Sequence, residues 1–232
     1  MNVIITGASR GIGHATARRF LSAGGYRLGV VARSEDPLLQ LQEACTPGST
    51  VIPYVFDLSA GETEFLAQAI RQDFDRVDIL INNAGYLVKK PFSGLERDDF
   101  LQSMEVNFLA PIFLIRHLLP LLERSEVKHV VNITSMAGFQ SITKVPGLAA
   151  YSASKAALNN LTELLAVEME ETGLRINALA PGTVDTEMLR KAMPGYRAGV
   201  SPPEMAEYIF SFATTAWQVM NGKVIPVALT TT

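Results

Sequence analysis

Cysteine is nearly absent: Cys45 is the only one in 232 residues, so no intrachain disulfide can form. That is expected of a chain kept in a reducing cytosol. A lone thiol near a helix end reads as a small packed hydrophobe rather than a nucleophile. Charge is sparse as well, at 19% of residues with a net value of −3. No broad basic surface is left for nucleic acid or an anionic membrane. The three histidines, His14, His117 and His129, are scattered without metal-ligand spacing, so no metal site is expected. Long hydrophobic runs are missing too. The most apolar stretch, 108–122, is interrupted by Pro111, Arg116, His117 and Pro120 and reads as too short to span a bilayer. Strand-like residues begin at Asn2, with no basic stretch ahead of a cleavable apolar region. The expectation is a soluble, cytoplasmic protein that binds neither nucleic acid nor membrane.

What is present is a regular alternation. Apolar, β-branched runs fall at 2–6, 27–32, 50–56, 78–82, 128–133, 175–180 and 223–227. Helical patterns lie between them at 12–23, 37–44, 62–74, 97–124, 152–171 and 202–214. Near-continuous apolar strands separated by amphipathic helices indicate a parallel sheet buried on both faces. The fold class predicted is α/β: a doubly wound, Rossmann-like parallel sheet of seven strands with helices on both faces. Apolar residues make up 48% of the chain, enough for one core, and no linker or repeat divides residues 1–232, so one domain is expected. The least regular stretches, 139–148 and 187–201, follow strand ends, where such sheets bind ligands, and are the expected substrate loops.

Directly after the first strand comes Thr6-Gly7-Ala8-Ser9-Arg10-Gly11-Ile12-Gly13, then a helix. Glycines there let backbone approach a pyrophosphate, and a helix N-terminus supplies unpaired N–H groups and partial positive charge. The second strand ends at Ala32-Arg33-Ser34. An enzyme of NAD(H) would place a carboxylate near this point for the adenosine ribose. Here an arginine stands beside the vacant position. A guanidinium can grip a 2′-phosphate, with Arg10 adding a second positive charge, so the cofactor read is NADP(H) rather than NAD(H).

Tyr151 and Lys155 are four apart at the start of a helical pattern and therefore share a face. A neighbouring ammonium would stabilise a phenolate and lower its pKa from near 10. Alone, this pair means little. Its order in the chain is more specific: the glycine loop after the first strand, Asn82-Asn83-Ala84-Gly85 after the fourth, Ile133-Thr134-Ser135 after the fifth, then Tyr151 and Lys155. This order resembles the short-chain dehydrogenase/reductase family over almost the whole chain. The resemblance implies an oxidoreductase that reduces a small carbonyl to an alcohol, or the reverse, by hydride transfer. Tyr151 would be the general acid/base, Ser135 would position the reacting oxygen, and Lys155 would bind the nicotinamide ribose. Gly7, Ser9, Arg10, Gly11, Ile12, Gly13 and Arg33 would meet the cofactor, as would Asp57, Leu58, Asn83, Ala84 and Gly85. Pro181, Gly182, Thr183 and Thr186 would complete that contact.

Asn107 is set apart by its place inside an apolar helix, four residues before Pro111. Proline has no N–H for the Asn107 carbonyl and kinks the helix there, leaving that carbonyl free for water. In the resemblance, the matching asparagine holds a water in a proton relay reaching Lys155. The chain also departs from the family. Sixteen positions separate Ser135 from Tyr151, which enlarges the 139–145 loop, and the C-terminal Leu229-Thr230-Thr231-Thr232 lacks the usual acidic-glycine ending. The resemblance implies a homodimer or homotetramer, with pairing through 97–124 and 152–171. Two other functions stay open: a 3-oxoacyl-thioester reductase, for which Lys89 and Lys90 would offer a basic docking point, and a non-catalytic NADP(H)-sensing protein.

Overall fold

The computed structural model describes residues 1–139 and 144–229. Its strands are β1 (Asn2–Thr6), β2 (Arg27–Ala32), β3 (Thr50–Val55), β4 (Ile79–Asn82), β5 (His129–Ile133), β6 (Arg175–Pro181) and β7 (Val224–Val227). They form one seven-stranded sheet in the order β3-β2-β1-β4-β5-β6-β7, and every pairing is parallel. The helices are α1 (Gly11–Ala23), α2 (Glu35–Glu43), α3 (Thr63–Asp73), α4 (Arg97–Met104), α5 (Ala110–Leu122), α6 (Ala149–Glu168), α7 (Glu187–Ala192) and α8 (Pro202–Thr215).

Alternation along each strand feeds two cores. In β1, Val3 and Ile5 join Phe20 and Leu21 of α1, Leu38 of α2 and Ile209 of α8. Ile4, pointing the other way, joins Ile70 of α3, Leu114 and Leu118 of α5 and Ala166 of α6. A strand residue must bury one face or the other, so strands covered on both sides are apolar throughout.

The helices correct the sequence reading in three places. The expected single helix over 97–124 is interrupted: a π turn, Glu105–Leu109, separates α4 from α5, and Ala110 N–H bonds back to the Glu105 carbonyl. Pro111 lacks the N–H that would continue the ordinary ladder, and a widened turn absorbs the loss. The next helix starts earlier and ends sooner than 152–171, so Tyr151 lies inside its first turn; a 3-10 turn at Glu170–Thr172 closes at Gly173 with φ of 75°. Part of the irregular 187–201 stretch is helical, because the Thr186 hydroxyl accepts from Leu189 N–H and caps α7. The run Arg97–Leu122 is also long and apolar enough, by length and composition, to cross a membrane, which the shorter 108–122 reading had excluded. Its apolar side chains Leu114, Leu118 and Leu121 are buried against the sheet.

At the amino edge of the sheet, Asp78 ties three strands together. Its buried carboxylate accepts from Asn2 N–H (2.6 Å), Arg76 Nε (3.0 Å) and the Ser125 hydroxyl. Its own backbone bonds to Asn2 and His129, at the starts of β1 and β5. Burial alone would raise this carboxyl, but the hydrogen bonds from Ser125, Asn2 and Arg76 outweigh it and hold it below its ordinary value. A folded value below the unfolded one means the stabilisation is complete above 3.8 and is lost as pH falls through the folded value. Asp78→Asn is expected to cost about 1–3 kcal/mol by denaturant titration at neutral pH. That difference should shrink below about pH 4; a difference independent of pH would contradict the assignment.

Candidate active site

The carboxyl ends of the strands open into a cleft of about 520 Å³. It centres where β1 and β4 lie side by side and the strand order reverses, the usual crevice of such sheets. All the catalytic and cofactor residues expected from the sequence line this cleft except Gly13 and Asn107, which sit behind it.

The floor is built by Asn83. Its amide donates to the carbonyls of Thr6 (2.9 Å) and Gly7 (3.3 Å), while Thr6 Oγ1 accepts from the N–H groups of Asn83 and Ala84, each at 3.0 Å. A Cβ at Gly13 would lie 2.3 Å from both Asn83 Nδ2 and the Gly7 carbonyl. Gly13 is therefore required by packing behind the loop rather than by anything in front of it. Gly11 has φ of 58°, a left-handed conformation that any side chain would strain. Helix α1 starts without a side-chain cap and without an acid in its first turn, so its leading N–H groups face the cleft unneutralised.

Arg10 and Arg33 differ from one another. Arg10, read from the sequence as a second free cation, donates to Glu187 at 2.9 Å across the cleft, and Glu187 also meets Lys191 at 2.6 Å. Arg33 is exposed at the lip and makes no salt bridge among the described residues. Nearby, burial pulls the Asp57 carboxyl up, but hydrogen bonds from Ser59 and the charge of Arg33 together hold it below its usual value. Leu58 packs beside it, nearly buried.

At the other end, Ser135 stands where β5 gives way to a 3-10 turn, its hydroxyl accepting from Ala137 N–H at 3.1 Å. That turn lies hard against α6: a Cβ at Gly138 would come within 2.6 Å of Ala156 N. The close approach brings Ser135 to Tyr151. Lys155, one helical turn along, is 3% exposed and donates to the Ile133 carbonyl at 2.9 Å. Its ammonium sits 6.0 Å from the centre of the Tyr151 ring. Burial pushes the Tyr151 phenol up, opposed by its hydrogen bond with Ser135, and pulls Lys155 down to about 8. The direct lowering of Tyr151 by Lys155 expected from helix spacing is thus not what the protein's own groups produce, because desolvation acts on both and the ammonium is turned to a carbonyl.

Asn107 is fully buried in the π turn. Its amide nitrogen donates to the Tyr86 carbonyl (2.8 Å) and Ser154 Oγ (3.0 Å), and its oxygen accepts from Tyr86 N–H (2.8 Å). The side chain is therefore satisfied like a strand partner and pins the backbone just after Gly85. Beyond β6, Gly182 N–H bonds to Val227 in β7, and Thr183 Oγ1 lies 3.3 Å from Tyr196 Oη.

Several participants were not read from the sequence: Thr6 and Ser154 as hydrogen-bond partners, and Glu187 as the mate of Arg10; Met188, Met193 and Tyr196 wall the cleft from within the expected 187–201 loop. Ser154 left one signal, a hydroxyl on a helix face otherwise turned inward. Residues 140–143 of the expected substrate loop lie outside the described residues. Among the described residues no cluster of potential metal ligands occurs.

Comparison with known proteins agrees with this architecture. The short chain dehydrogenase profile matches residues 1–197. An uncharacterized oxidoreductase of Staphylococcus saprophyticus is 30% identical over 208 residues, covering 88% of this chain and 87% of its own. An alcohol dehydrogenase of the archaeon Thermococcus sibiricus, complexed with 5-hydroxy-NADP, superposes with a TM-score of 0.87 at 27% identity, over 100% of this chain and 97% of that one. A 3-oxoacyl-[acyl-carrier protein] reductase of Brucella melitensis with bound NAD gives 0.84 at 28%, over 98% and 89%. With the profile covering most of the chain and the same sheet beneath it, the protein belongs to the short-chain dehydrogenase family of oxidoreductases.

Proposed function

We propose that the protein, acting as one domain, is an NADP(H)-dependent reductase of small carbonyl compounds, or the dehydrogenase of the matching alcohols. The observation that carries this is the burial of Tyr151 and Lys155, with half-buried Ser135 beside them, at one end of the same cleft whose other end holds the uncapped N-terminus of α1. The residues fit a dinucleotide: open helix N–H groups and glycines suit a pyrophosphate, and Arg33 suits an additional phosphate at the adenosine end. The groups that would hold it run from Gly7 to Ile12, through Arg33, Asp57 and Leu58, to Asn83–Gly85 and Pro181–Thr186. Bound there, a nicotinamide supplies or accepts the hydride.

Tyr151 is the proton donor to the carbonyl oxygen in reduction. Its raised pKa in the buried site keeps the phenol protonated and able to give up its proton to a developing alkoxide. Ser135 donates to the same oxygen and holds it in place. Lys155, with a pKa of about 8, releases and regains a proton near neutrality and can resupply Tyr151. Asn107 positions the Tyr86 backbone and, through the carbonyl that Pro111 cannot reach, offers a water site on the way to Lys155.

A 3-oxoacyl-thioester reductase would want a basic docking patch. Lys90 is already taken by both carboxylate oxygens of Asp99, which leaves Lys89, and a small carbonyl is the preferred substrate. A cofactor sensor would need neither Tyr151 nor Lys155. The lone Cys45 supports a cytoplasmic location, and a homodimer or homotetramer is the expected assembly.

Tyr151→Phe is expected to lower turnover by a factor on the order of 10³ or more while the NADPH dissociation constant, read by fluorescence, moves little. Full activity in that variant would remove Tyr151 from the chemistry. Arg33→Ala should weaken NADPH on the order of tenfold and NADH far less. Equal loss for both cofactors would show that Arg33 does not read the 2′-phosphate.

A further inference from the structure

Charge in the cleft is unevenly distributed. Among the described residues its only acidic lining residues are Asp57 and Glu187, both at the cofactor end and both engaged, the first by Ser59 and the second by Arg10 and Lys191. The substrate end is walled by Leu87, Val106, Val145, Leu148, Met188 and Met193 and contains no acid among its lining residues. Besides the buried Lys155, three lysines stand around this end, and two are occupied. Lys90 pairs with Asp99 at 2.9 and 2.8 Å, and Lys144 donates to the carbonyls of Ala137 and Phe139. Lys89 lines the cleft and forms no salt bridge among the described residues; residues 140–143, Gln-Ser-Ile-Thr, supply no carboxylate.

The segment carrying Lys89 is also held in position. Lys90 is anchored through its side chain to α4 and through its N–H to the Gly147 carbonyl at 3.1 Å. Gly147, at φ of 87°, makes room for the lysine stem: a Cβ there would lie 3.1 Å from Lys89 Cγ. Gly147 precedes Tyr151 by four residues, so the stem of Lys89 passes close to the start of the catalytic helix.

We propose that Lys89 anchors the anionic end of the substrate, so that the protein acts on oxo-carboxylates whose reacting carbonyl and carboxylate are separated by an apolar chain. This rests on the carbonyl-reductase reading above. An ammonium with no salt-bridge partner among the described residues, at the rim of an apolar pocket without described acids, favours a carboxylate by charge-assisted hydrogen bonding. The hydrocarbon between the two ends fills the walls of leucine, valine and methionine.

The test compares straight-chain oxo-carboxylates with their primary amides, which keep shape and lose charge. In the wild type the acids should show the higher kcat/KM, on the order of five- to tenfold, expressed in KM and shrinking with added salt. Lys89→Gln should abolish this acid-to-amide ratio through KM, and Lys89→Glu should invert it. A ratio that Lys89→Gln leaves unmoved, or a wild type that prefers the amides, overturns the assignment. Calorimetry of both series against NADPH-loaded protein separates the two levels of inference. Acids that bind, and bind more weakly to Lys89→Gln, uphold Lys89 even where no turnover occurs and only the reductase reading fails; no preference in binding sinks the Lys89 proposal on its own.

Discussion

The Asn83 side chain, reaching from the end of β4 to the carbonyls at the end of β1, is the interaction on which the rest of the site depends. Strand order reverses between these two strands, so their ends would splay apart if nothing crossed the gap. Thr6 answers with its hydroxyl, accepting two N–H groups from the far side. Six polar groups at a part-buried junction are thereby satisfied by four hydrogen bonds, and the cleft acquires a rigid floor. The glycines follow from this: with Asn83 in place, Gly13 has no room for a methyl group.

Burial then sets the chemistry. Tyr151 and Lys155 are both removed from water, and removal from water disfavours the charged form of each. A phenol pushed above its ordinary value and an ammonium pulled down to about 8 separate in pKa, so the phenol stays protonated at neutral pH and a proton passes downhill from the ammonium to a tyrosinate. The two act through different neighbours, Ser135 for the tyrosine and the Ile133 carbonyl for the lysine. Each neighbour is placed by the end of β5. Packing of the turn at Gly138 against α6 is what brings strand end and helix into register.

The π turn in the long helical run serves the same site from behind. Pro111 removes one rung of the ladder, and the widened turn carries Asn107 inward to pair with Tyr86 and Ser154. A locally imperfect helix thus positions the loop after Gly85, whose next residues lead to Leu87 and Lys89 on the substrate wall. Opposite, Arg10 and Glu187 join the phosphate loop to α7, so both walls of the cleft are tied by polar contacts while its substrate end stays apolar.

Strand positions, the α/β class and the phosphate loop were legible in the sequence because continuous apolar runs between helical patterns, and a glycine loop between strand and helix, are local patterns. So were the oddity of Asn107 beside Pro111 and the helical adjacency of Tyr151 and Lys155. The pKa directions were not legible: spacing along a helix shows which groups are neighbours, but not how far water is excluded from them or which carbonyl an amine turns toward. The pairing of Arg10 with Glu187, 177 residues apart, and the engagement of Lys90 that leaves Lys89 open were likewise invisible. Local sequence determined which elements form and which chemical groups they carry. Tertiary structure alone decided which charges meet, because that depends on contacts between segments far apart in the chain.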